Sequence, residues 1–196
     1  MYICSMCVFQ KVQIFHFTDF YKLHLDPNTA HRNLTLSERN QQVTRGPAQP
    51  YPDHPERFDC WPQVLCREPL TGRCYWEVEG TGTAAIGFTC KGIRRKGGGD
   101  DVVLGHNPKS VTLYCNEKGY SVYHGKRKTE IEFPPYECNR VGVFLDWPNG
   151  LVSFYRVSSE GSLLLHTIYS SFNKPLYAGF TLYPSDTIIS LCRMKV

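Results

Sequence analysis

Apolar and polar residues alternate along several short stretches of the chain, and turn-forming residues separate these stretches. In residues 74–79 (CYWEVE), Cys74, Trp76 and Val78 fall on one face of an extended chain and the residues between them fall on the other. This period of two predicts β-strands with one buried face. An amphipathic stretch of about 10 to 15 residues, which a helix joining parallel strands would need, is not found between them. The pattern therefore predicts antiparallel strands.

A β-hairpin is predicted by residues 145–157 (LDWPNGLVSFYRV). Alternate apolar positions in 141–147 share one face of the incoming strand. Pro148 and Asn149 suit the centre of a type I turn, and Gly150 suits the left-handed residue that follows it. The chain then returns antiparallel, with aromatic and β-branched residues filling the faces of the sheet.

Two further hairpins are predicted upstream. Residues 74–79 and 84–90 are separated by a Gly-Thr-Gly sequence, and residues 111–114 and 120–123 flank Asn-Glu-Lys-Gly. Other short stretches complete the predicted strands: 34–36, 163–168, 176–183 and 187–194. The expected architecture is an antiparallel β-sandwich.

Two long loops interrupt this pattern. Residues 44–59 carry four prolines, which exclude a regular helix or a central strand. Residues 91–108 are rich in glycine. Loops of this length are uncommon without a role, so both are candidates for ligand contacts.

Composition and charge fit one globular domain and argue against a nucleic-acid partner. The chain has 196 residues, of which 41% are hydrophobic and 20% are charged, and its formal net charge is +4. Basic residues gather at 91–96 (KGIRRK) and 126–128 (KRK). Nucleic-acid-binding proteins usually carry a stronger and more continuous basic surface. We interpret both clusters as solvated loops.

The nine cysteines are an odd number spread along the chain, unlike a compact disulfide framework. A reducing compartment, and so a cytoplasmic location, is the simpler interpretation. Residues 1–20 lack the basic start and cleavage site of a secretion signal, and they are too polar and too short to span a bilayer. No membrane partner is predicted.

Motifs for catalysis are absent from the sequence. The glycine-rich residues 92–99 fail the phosphate-loop pattern, because Gly98 stands where that pattern requires lysine. The sequence lacks the nucleophile motif G-x-S-x-G and the zinc motif H-E-x-x-H, and its seven histidines are scattered. We therefore expect no enzyme activity, no metal and no cofactor.

A series of short motifs gives the sequence a specific resemblance. They occur in this order: Leu25-Asp26-Pro27, Trp76-Glu77-Val78-Glu79, Asn107-Pro108-Lys109-Ser110, Leu145-Asp146-Trp147, Ser153-Phe154-Tyr155 and Pro175-Leu176-Tyr177-Ala178-Gly179-Phe180. In this order and spacing the chain resembles the PRY-SPRY family, in the form seen in fish tripartite-motif proteins, NACHT-type immune receptors and stonefish-type cytolysin subunits. Two positions depart from the common pattern, because Ala85 and Val111 stand where many members have tryptophan.

The resemblance implies a fold and a domain organisation. The fold would be all-β, a bent antiparallel two-sheet β-sandwich with a short N-terminal extension. Residues 1–22 would form that extension, partly disordered or helical. Residues 23–67 would form the PRY segment and residues 68–196 the SPRY segment of one composite domain.

The resemblance also implies a function, which is to bind a protein or peptide ligand through surface loops, in innate immune signalling. Rigid scaffolds often present such loops, and aromatic and arginine side chains supply most of the energy at interfaces. The alternative is that the chain is the C-terminal fragment of a larger effector, either a RING-type ubiquitin ligase or a pore-forming toxin subunit. Each candidate residue could instead have a packing role. The candidate ligand-binding residues are Arg57, Phe58, Arg94, Arg95, Tyr114, Asn116, Trp147 and Tyr183.

Overall fold

The computed structural model describes residues 20–131 and 139–193, so the prediction for residues 1–19 of the N-terminal extension lies outside the described residues. The described residues form thirteen β-strands and no helix, which confirms the predicted all-β class. The strands are β1 Leu34–Ser37, β2 Gln42–Arg45, β3 Gln63–Leu65, β4 Arg73–Thr81, β5 Ala84–Cys90, β6 Ser110–Asn116, β7 Gly119–His124, β8 Arg127–Ile131, β9 Arg140–Asp146, β10 Leu151–Ser158, β11 Gly161–Tyr169, β12 Leu176–Leu182 and β13 Ile188–Leu191.

Two sheets carry these strands. The seven-stranded sheet has the order β1-β2-β13-β4-β9-β10-β11, and the six-stranded sheet has the order β3-β12-β5-β6-β7-β8. Neighbouring strands in both sheets run antiparallel, as the alternation predicted. The predicted two-sheet sandwich is therefore confirmed.

The core lies between the two sheets and is rich in large aromatic side chains. Trp76 and Phe154 from one sheet, and Phe88 and Phe180 from the other, are each at most 1% exposed. All four belong to one continuous apolar cluster. Burying a side chain of this size contributes about 2 to 3 kcal/mol of hydrophobic free energy, so the facing aromatics hold the sheets together.

Two of the three predicted hairpins are confirmed. β6 pairs with β7 around the turn at residues 116–119, and β9 pairs with β10 around the turn at Pro148-Asn149-Gly150. In the second turn Gly150 adopts a φ of 65°, as the turn chemistry requires.

The predicted hairpin between β4 and β5 is wrong. β4 pairs with β9 and β13 in one sheet, whereas β5 pairs with β6 and β12 in the other. The apolar sides of both strands reach the same core from opposite layers, with Trp76 and Ile86 in one cluster. Pairing the strands side by side would place these apolar sides on a single sheet, so the short Gly-Thr-Gly connection crosses between the sheets instead.

The two long loops are fastened to each other by side chains. Arg57 is 4% exposed, and its guanidinium donates to the carbonyl oxygens of Pro52, Pro27 and Ala30 at 3.1, 2.8 and 2.6 Å. Lys96, in the second loop, donates from Nζ to the carbonyl oxygen of Arg57 at 2.9 Å. These bonds fix the shape of the proline-rich loop.

Phe58 and Arg95 lie at the junction of the same loops. Phe58 is fully buried in a small second cluster, and the Arg95 guanidinium lies 5.1 Å from the centre of its ring. Arg95 also forms an ion pair with Glu56 at 2.9 Å and is 7% exposed. Since Arg57, Phe58 and Arg95 present almost no surface, the prediction that they contact a ligand does not fit their burial. Their side chains stabilise the loops.

Gln63 joins the glycine-rich loop to the outer face of the six-stranded sheet. Its buried amide donates to the carbonyl oxygen of Val102 at 3.0 Å and accepts from the N–H of Leu104 at 2.8 Å. The hydroxyl of Thr181, on β12, donates to the same Gln63 oxygen at 3.1 Å. These bonds hold residues 102–104 of the glycine-rich loop against the sheet, so the end of the loop that leads into β6 has a fixed position.

Glycine substitutions separate the cost of backbone conformation from the cost of space. Gly150→Ala should destabilise strongly, because the new Cβ would lie 1.7 Å from the carbonyl oxygen of Ser170 in addition to the strain of positive φ. Gly125→Ala, with φ 62° and an open surrounding, should cost about 1 to 2 kcal/mol. Gly46→Ala, with neither constraint, should change the free energy of unfolding by about 0.5 kcal/mol or less. Urea denaturation measures the three values, and equal costs would contradict this geometry.

The burial of Arg57 predicts a loss of stability on substitution. Arg57→Ala leaves carbonyl oxygens without their donors and should cost about 3 kcal/mol, or roughly 6 to 12 °C in Tm. Arg57→Lys should recover only part of this, because an ammonium cannot reproduce the spread of the guanidinium. Arg94→Ala is the control, since Arg94 is exposed and paired with Asp101. An unchanged Tm in Arg57→Ala, measured by calorimetry, would reject the structural role.

Candidate binding surface

The outer face of the six-stranded sheet carries a row of tyrosines. On β6 the inward residues Val111 and Leu113 join the core, so Tyr114 points outward. Tyr123 on β7 lies opposite Thr112 in the ladder and shares this outer face. The alternation that builds the core thus also places aromatic rings on the surface.

Four rings form a connected group, which we call the tyrosine face: His106, Tyr114, Tyr123 and Tyr183. His106 stacks on Tyr123 with ring centres 5.3 Å apart and an angle of 11° between planes. Tyr114 meets Tyr123 and Tyr183 edge to face, at 6.0 and 5.1 Å. These distances are those of favourable aromatic pairs, so the rings hold one another in place.

The glycine-rich loop delivers His106 to this position. Gly105 has a φ of 86°, and a Cβ built there would lie 2.2 Å from the hydroxyl of Thr112 and 3.0 Å from the Cβ of Tyr123. Only a residue without a side chain lets the loop backbone approach the sheet so closely. The N–H of Gly105 also donates to Ser110 Oγ at 2.7 Å.

Polar and charged groups surround the tyrosine face. Lys128 Nζ, on β8, lies 5.8 Å from the centre of the Tyr123 ring and forms an ion pair with Glu130. Glu130 also accepts from Ser121 Oγ at 2.6 Å. Asp100 lies 3.7 Å from His106 Nδ1. The rim therefore offers both signs of charge around an aromatic centre, an arrangement that suits contact with another protein.

The hydroxyl of Tyr183 lies in a partly buried environment. Burial, followed by the nearby Tyr114 and Tyr123, raises the pKa of Tyr183 well above its ordinary value. Within the described residues the hydroxyls of Tyr114 and Tyr183 donate no hydrogen bond. Each half-buried ring can therefore offer apolar area and one hydrogen-bonding group to a ligand.

The structure brings together only some of the predicted site residues. Tyr114 and Tyr183 touch, and Asn116 lies at the end of the same strand, where its Oδ1 accepts from the N–H of Lys118 at 2.9 Å. Arg94 is exposed but engaged with Asp101 at 2.7 Å. Arg57, Phe58 and Arg95 are buried beneath the loops.

Trp147 lies in the other sheet, at the end of β9. Its Nε1 donates to the carbonyl oxygen of Lys174 at 3.0 Å, and its ring packs partly against the core. It is not part of the tyrosine face. These contacts fit the alternative given in the sequence analysis, that a candidate residue such as Trp147 has a packing role.

Sequence reasoning missed His106 and Tyr123. Tyr123 was recognised only as a strand residue, although its alternation with Val122 could have placed it outward together with Tyr114. His106 gave no periodic signal, because its position depends on how the loop folds back onto the sheet. Ala85, where relatives often carry tryptophan, lies opposite Tyr114 in the ladder and is 1% exposed.

The part of the chain that the structure describes shows neither a metal-binding cluster nor a membrane-spanning helix. No group of three or more histidine, cysteine, aspartate or glutamate side chains is arranged to hold a metal ion there. Nor do those residues include a helix of the length and apolar character needed to cross a membrane.

Curated relatives include venom proteins and tripartite-motif proteins. The chain is 41% identical to stonustoxin subunit beta of Synanceia horrida over 160 residues, which are 81% of this chain and 23% of that protein. It is 37% identical to tripartite motif-containing protein 16 of Mus musculus over 170 residues, 85% of this chain and 30% of that protein. The chain thus spans about a quarter of the length of these relatives.

Solved structures share the same architecture. The stonustoxin structure superposes with a TM-score of 0.83 at 36% identity, covering 89% of this chain and 29% of that chain. The crystal structure of the TRIM65 PSpry domain superposes with a TM-score of 0.81 at 26% identity, covering 91% of this chain and 94% of that chain. The second structure is a single domain of nearly the same extent as the fold described above.

Two family models match adjoining parts of the chain. The SPRY-associated domain, PRY, matches residues 23–70, and the SPRY domain matches residues 73–193. The SPRY domain is a protein-interaction module without catalytic function. With both matches in sequence order, and with the sandwich superposing on solved members, the chain belongs to the PRY-SPRY family.

Proposed function

We propose that the protein binds a protein or peptide ligand through the tyrosine face and the loop ends beside it. The observation that carries this proposal is the contiguous group of four rings, which are half-buried on the outer face of the six-stranded sheet. They are His106, Tyr114, Tyr123 and Tyr183. Rigid aromatic side chains lose little conformational entropy on binding, which makes them effective contact residues. Asn116, on the strand of Tyr114, and Lys128, beside Tyr123, would contribute polar contacts.

The proposed setting is innate immune signalling in the cytoplasm, and it rests on the likeness to tripartite-motif proteins. Cys66, Cys90 and Cys192 are free thiols, which suits a reducing compartment. The proposed ligand is a protein and not nucleic acid, because the tyrosine face carries acidic groups, Glu130 and Asp100, among its basic ones.

Site-specific photo-cross-linking tests where the ligand binds. A photoreactive phenylalanine analogue is placed at position 123, in the tyrosine face, and in a separate protein at position 144, on the outer face of the other sheet. Because the ligand covers the first position only, we expect a cellular protein to cross-link to position 123 and not to position 144. Mass spectrometry identifies that protein, which then serves as the ligand in binding assays.

Substitutions then measure the energy of the contact. Tyr114→Ala and Tyr123→Ala should each weaken binding of the captured protein by about tenfold or more, since each removes a ring from the centre of the interface. Phe144→Ala removes an aromatic ring of comparable exposure elsewhere and is the matched control. Thermal melting checks that all three variants fold. If the captured protein bound both tyrosine variants as tightly as wild type, the tyrosine face would be rejected as the binding site.

A second proposal is that this module is the recognition part of a larger effector. It is favoured by the share of the relatives that the chain covers, 23% of stonustoxin subunit beta and 36% of the E3 ubiquitin-protein ligase TRIM11 of Bos taurus. Sequencing the 5′ ends of the transcripts tests it. A RING or pore-forming region encoded in frame upstream would support this proposal, and transcripts that all begin at Met1 would contradict it.

A further inference from the structure

The sandwich opens at the end where the two sheets have their last strands. β8 ends the six-stranded sheet and β11 ends the seven-stranded sheet, and among the described strands each has one neighbour only. His166 on β11 lies opposite the fully buried Phe154, so its side chain points toward the other sheet. In the six-stranded sheet, Arg127 on β8 pairs with His124, and Thr129 pairs with the buried Val122. The side chains of Arg127 and Thr129 therefore point toward the seven-stranded sheet.

Polar residues thus occupy positions that carry core residues elsewhere in the sandwich. Alternation puts Arg127, Thr129 and His166 on the inner faces, where apolar side chains would close the gap between the sheets. Instead a cavity of ≈ 600 Å³ lies between β11 and the β7–β8 hairpin, and we call it the edge cleft. Its remaining walls include Lys126, Tyr169 and Ile168.

A second cavity, of ≈ 270 Å³, shares His124 with the edge cleft. This second cavity, which we call the inner cavity, is lined by Phe88, Phe172 and Leu176, and Lys109 and Lys174 also contribute to its walls. The two cavities adjoin at His124, and together we call them the groove. Both have basic residues on their walls, and the inner cavity also has the apolar Phe88, Phe172 and Leu176.

The described lining of this groove carries positive charge only. Lys126, Arg127, Lys109 and Lys174 are its charged residues, and neither cavity has an aspartate or glutamate among its described lining residues. The chain as a whole has 22 lysines and arginines against 18 acidic residues, so four basic residues without an acidic residue in the described lining are a local excess. Such a groove attracts negatively charged groups.

The shared residue, His124, has an unused polar atom. Its Nδ1 is buried and has no hydrogen-bond partner among the residues that the structure describes. Burial, followed by the nearby Arg127 charge, lowers the pKa of this imidazole below its ordinary value.

The strands beside the cleft suit an extended peptide. β11 is nine residues long, and its Tyr169, which lines the cleft, is 76% exposed. A strand with one unpaired edge offers backbone donors and acceptors to a further strand. A nucleic acid would not pair with these backbone groups as a further strand, and it would not fill the apolar inner cavity.

We propose that the edge cleft binds an extended acidic segment of a partner protein, with carboxylates against Lys126, Arg127 and His166 and an apolar side chain in the inner cavity. This surface is separate from the tyrosine face. Tyr123 and Lys128 point outward from the β7–β8 hairpin, whereas His124 and Arg127 point into the cleft. The module therefore has two docking surfaces on opposite faces of one hairpin.

A fluorescent synthetic peptide tests the proposal. The probe repeats Glu-Leu-Glu-Thr, and a second peptide carries Gln in place of every Glu. Fluorescence anisotropy should detect saturable binding of the first peptide, much weaker binding of the second, and a loss of affinity with added salt. The double variant Lys126→Gln, Arg127→Gln should weaken binding by about tenfold. Both side chains are exposed, so folding should be preserved, and a thermal melt checks it.

The matched control is the double variant Lys22→Gln, Arg39→Gln, which removes the same charge from exposed positions outside the cleft. It should change affinity by less than about twofold, and so should Tyr114→Ala in the tyrosine face, which separates this proposal from the preceding one. Equal weakening by the two charge variants would overturn the proposal, because attraction would then follow net charge alone. Tighter binding of an oligothymidylate than of the peptide, lost in the cleft variant, would overturn the choice of an acidic protein segment.

Discussion

The stacking of large side chains between two pleated layers is the constraint on which the rest of the structure depends. Because successive side chains of a strand point to opposite faces, burying Trp76, Phe154, Phe88 and Phe180 in one core fixes the direction of every neighbouring side chain. Tyr114 and Tyr123 point outward for this reason. A slip of β7 by one residue along β6 would turn Tyr123 toward the core and expose Val122. The direction of the rings in the tyrosine face is therefore specified by the core beneath them.

The loops bring to the tyrosine face a side chain, His106, that no strand carries. His106 reaches Tyr123 because Gly105 lets the backbone lie against Thr112, and because Gln63 holds the preceding residues to the sheet. The buried Arg57 and Arg95 serve the same purpose further along the loops. Positive charge in these loops thus stabilises shape more than it attracts ligands. Unsatisfied buried carbonyls would otherwise be costly, so these arginines have little freedom to leave their positions.

Much of the fold could be predicted from the sequence, since the strands at 74–79 and 111–123 and the turn at 148–150 follow from local periodicity and turn chemistry. The failure at β4 and β5 had a physical cause, because a short Gly-Thr-Gly connection is compatible with a hairpin and with a crossing between layers. Pairing with strands far away in the sequence determines which of the two forms: β4 pairs with β9 and β13, and β5 pairs with β12. For the same reason only part of the tyrosine face could be predicted. Tyr114 and Tyr183 lie on strands or at their ends, whereas the burial of Phe58 depends on contacts between loops.

The fastening of the loops has a consequence for how this scaffold can diversify. Arg57, Lys96 and Trp61 all donate to main-chain carbonyl oxygens, which every amino acid possesses. A small set of anchoring side chains can therefore keep the loop outline while the residues between the anchors are exchanged. New specificities can arise at such positions without the folding cost that changes in the core would bring, so the same frame can acquire unrelated ligands over evolutionary time.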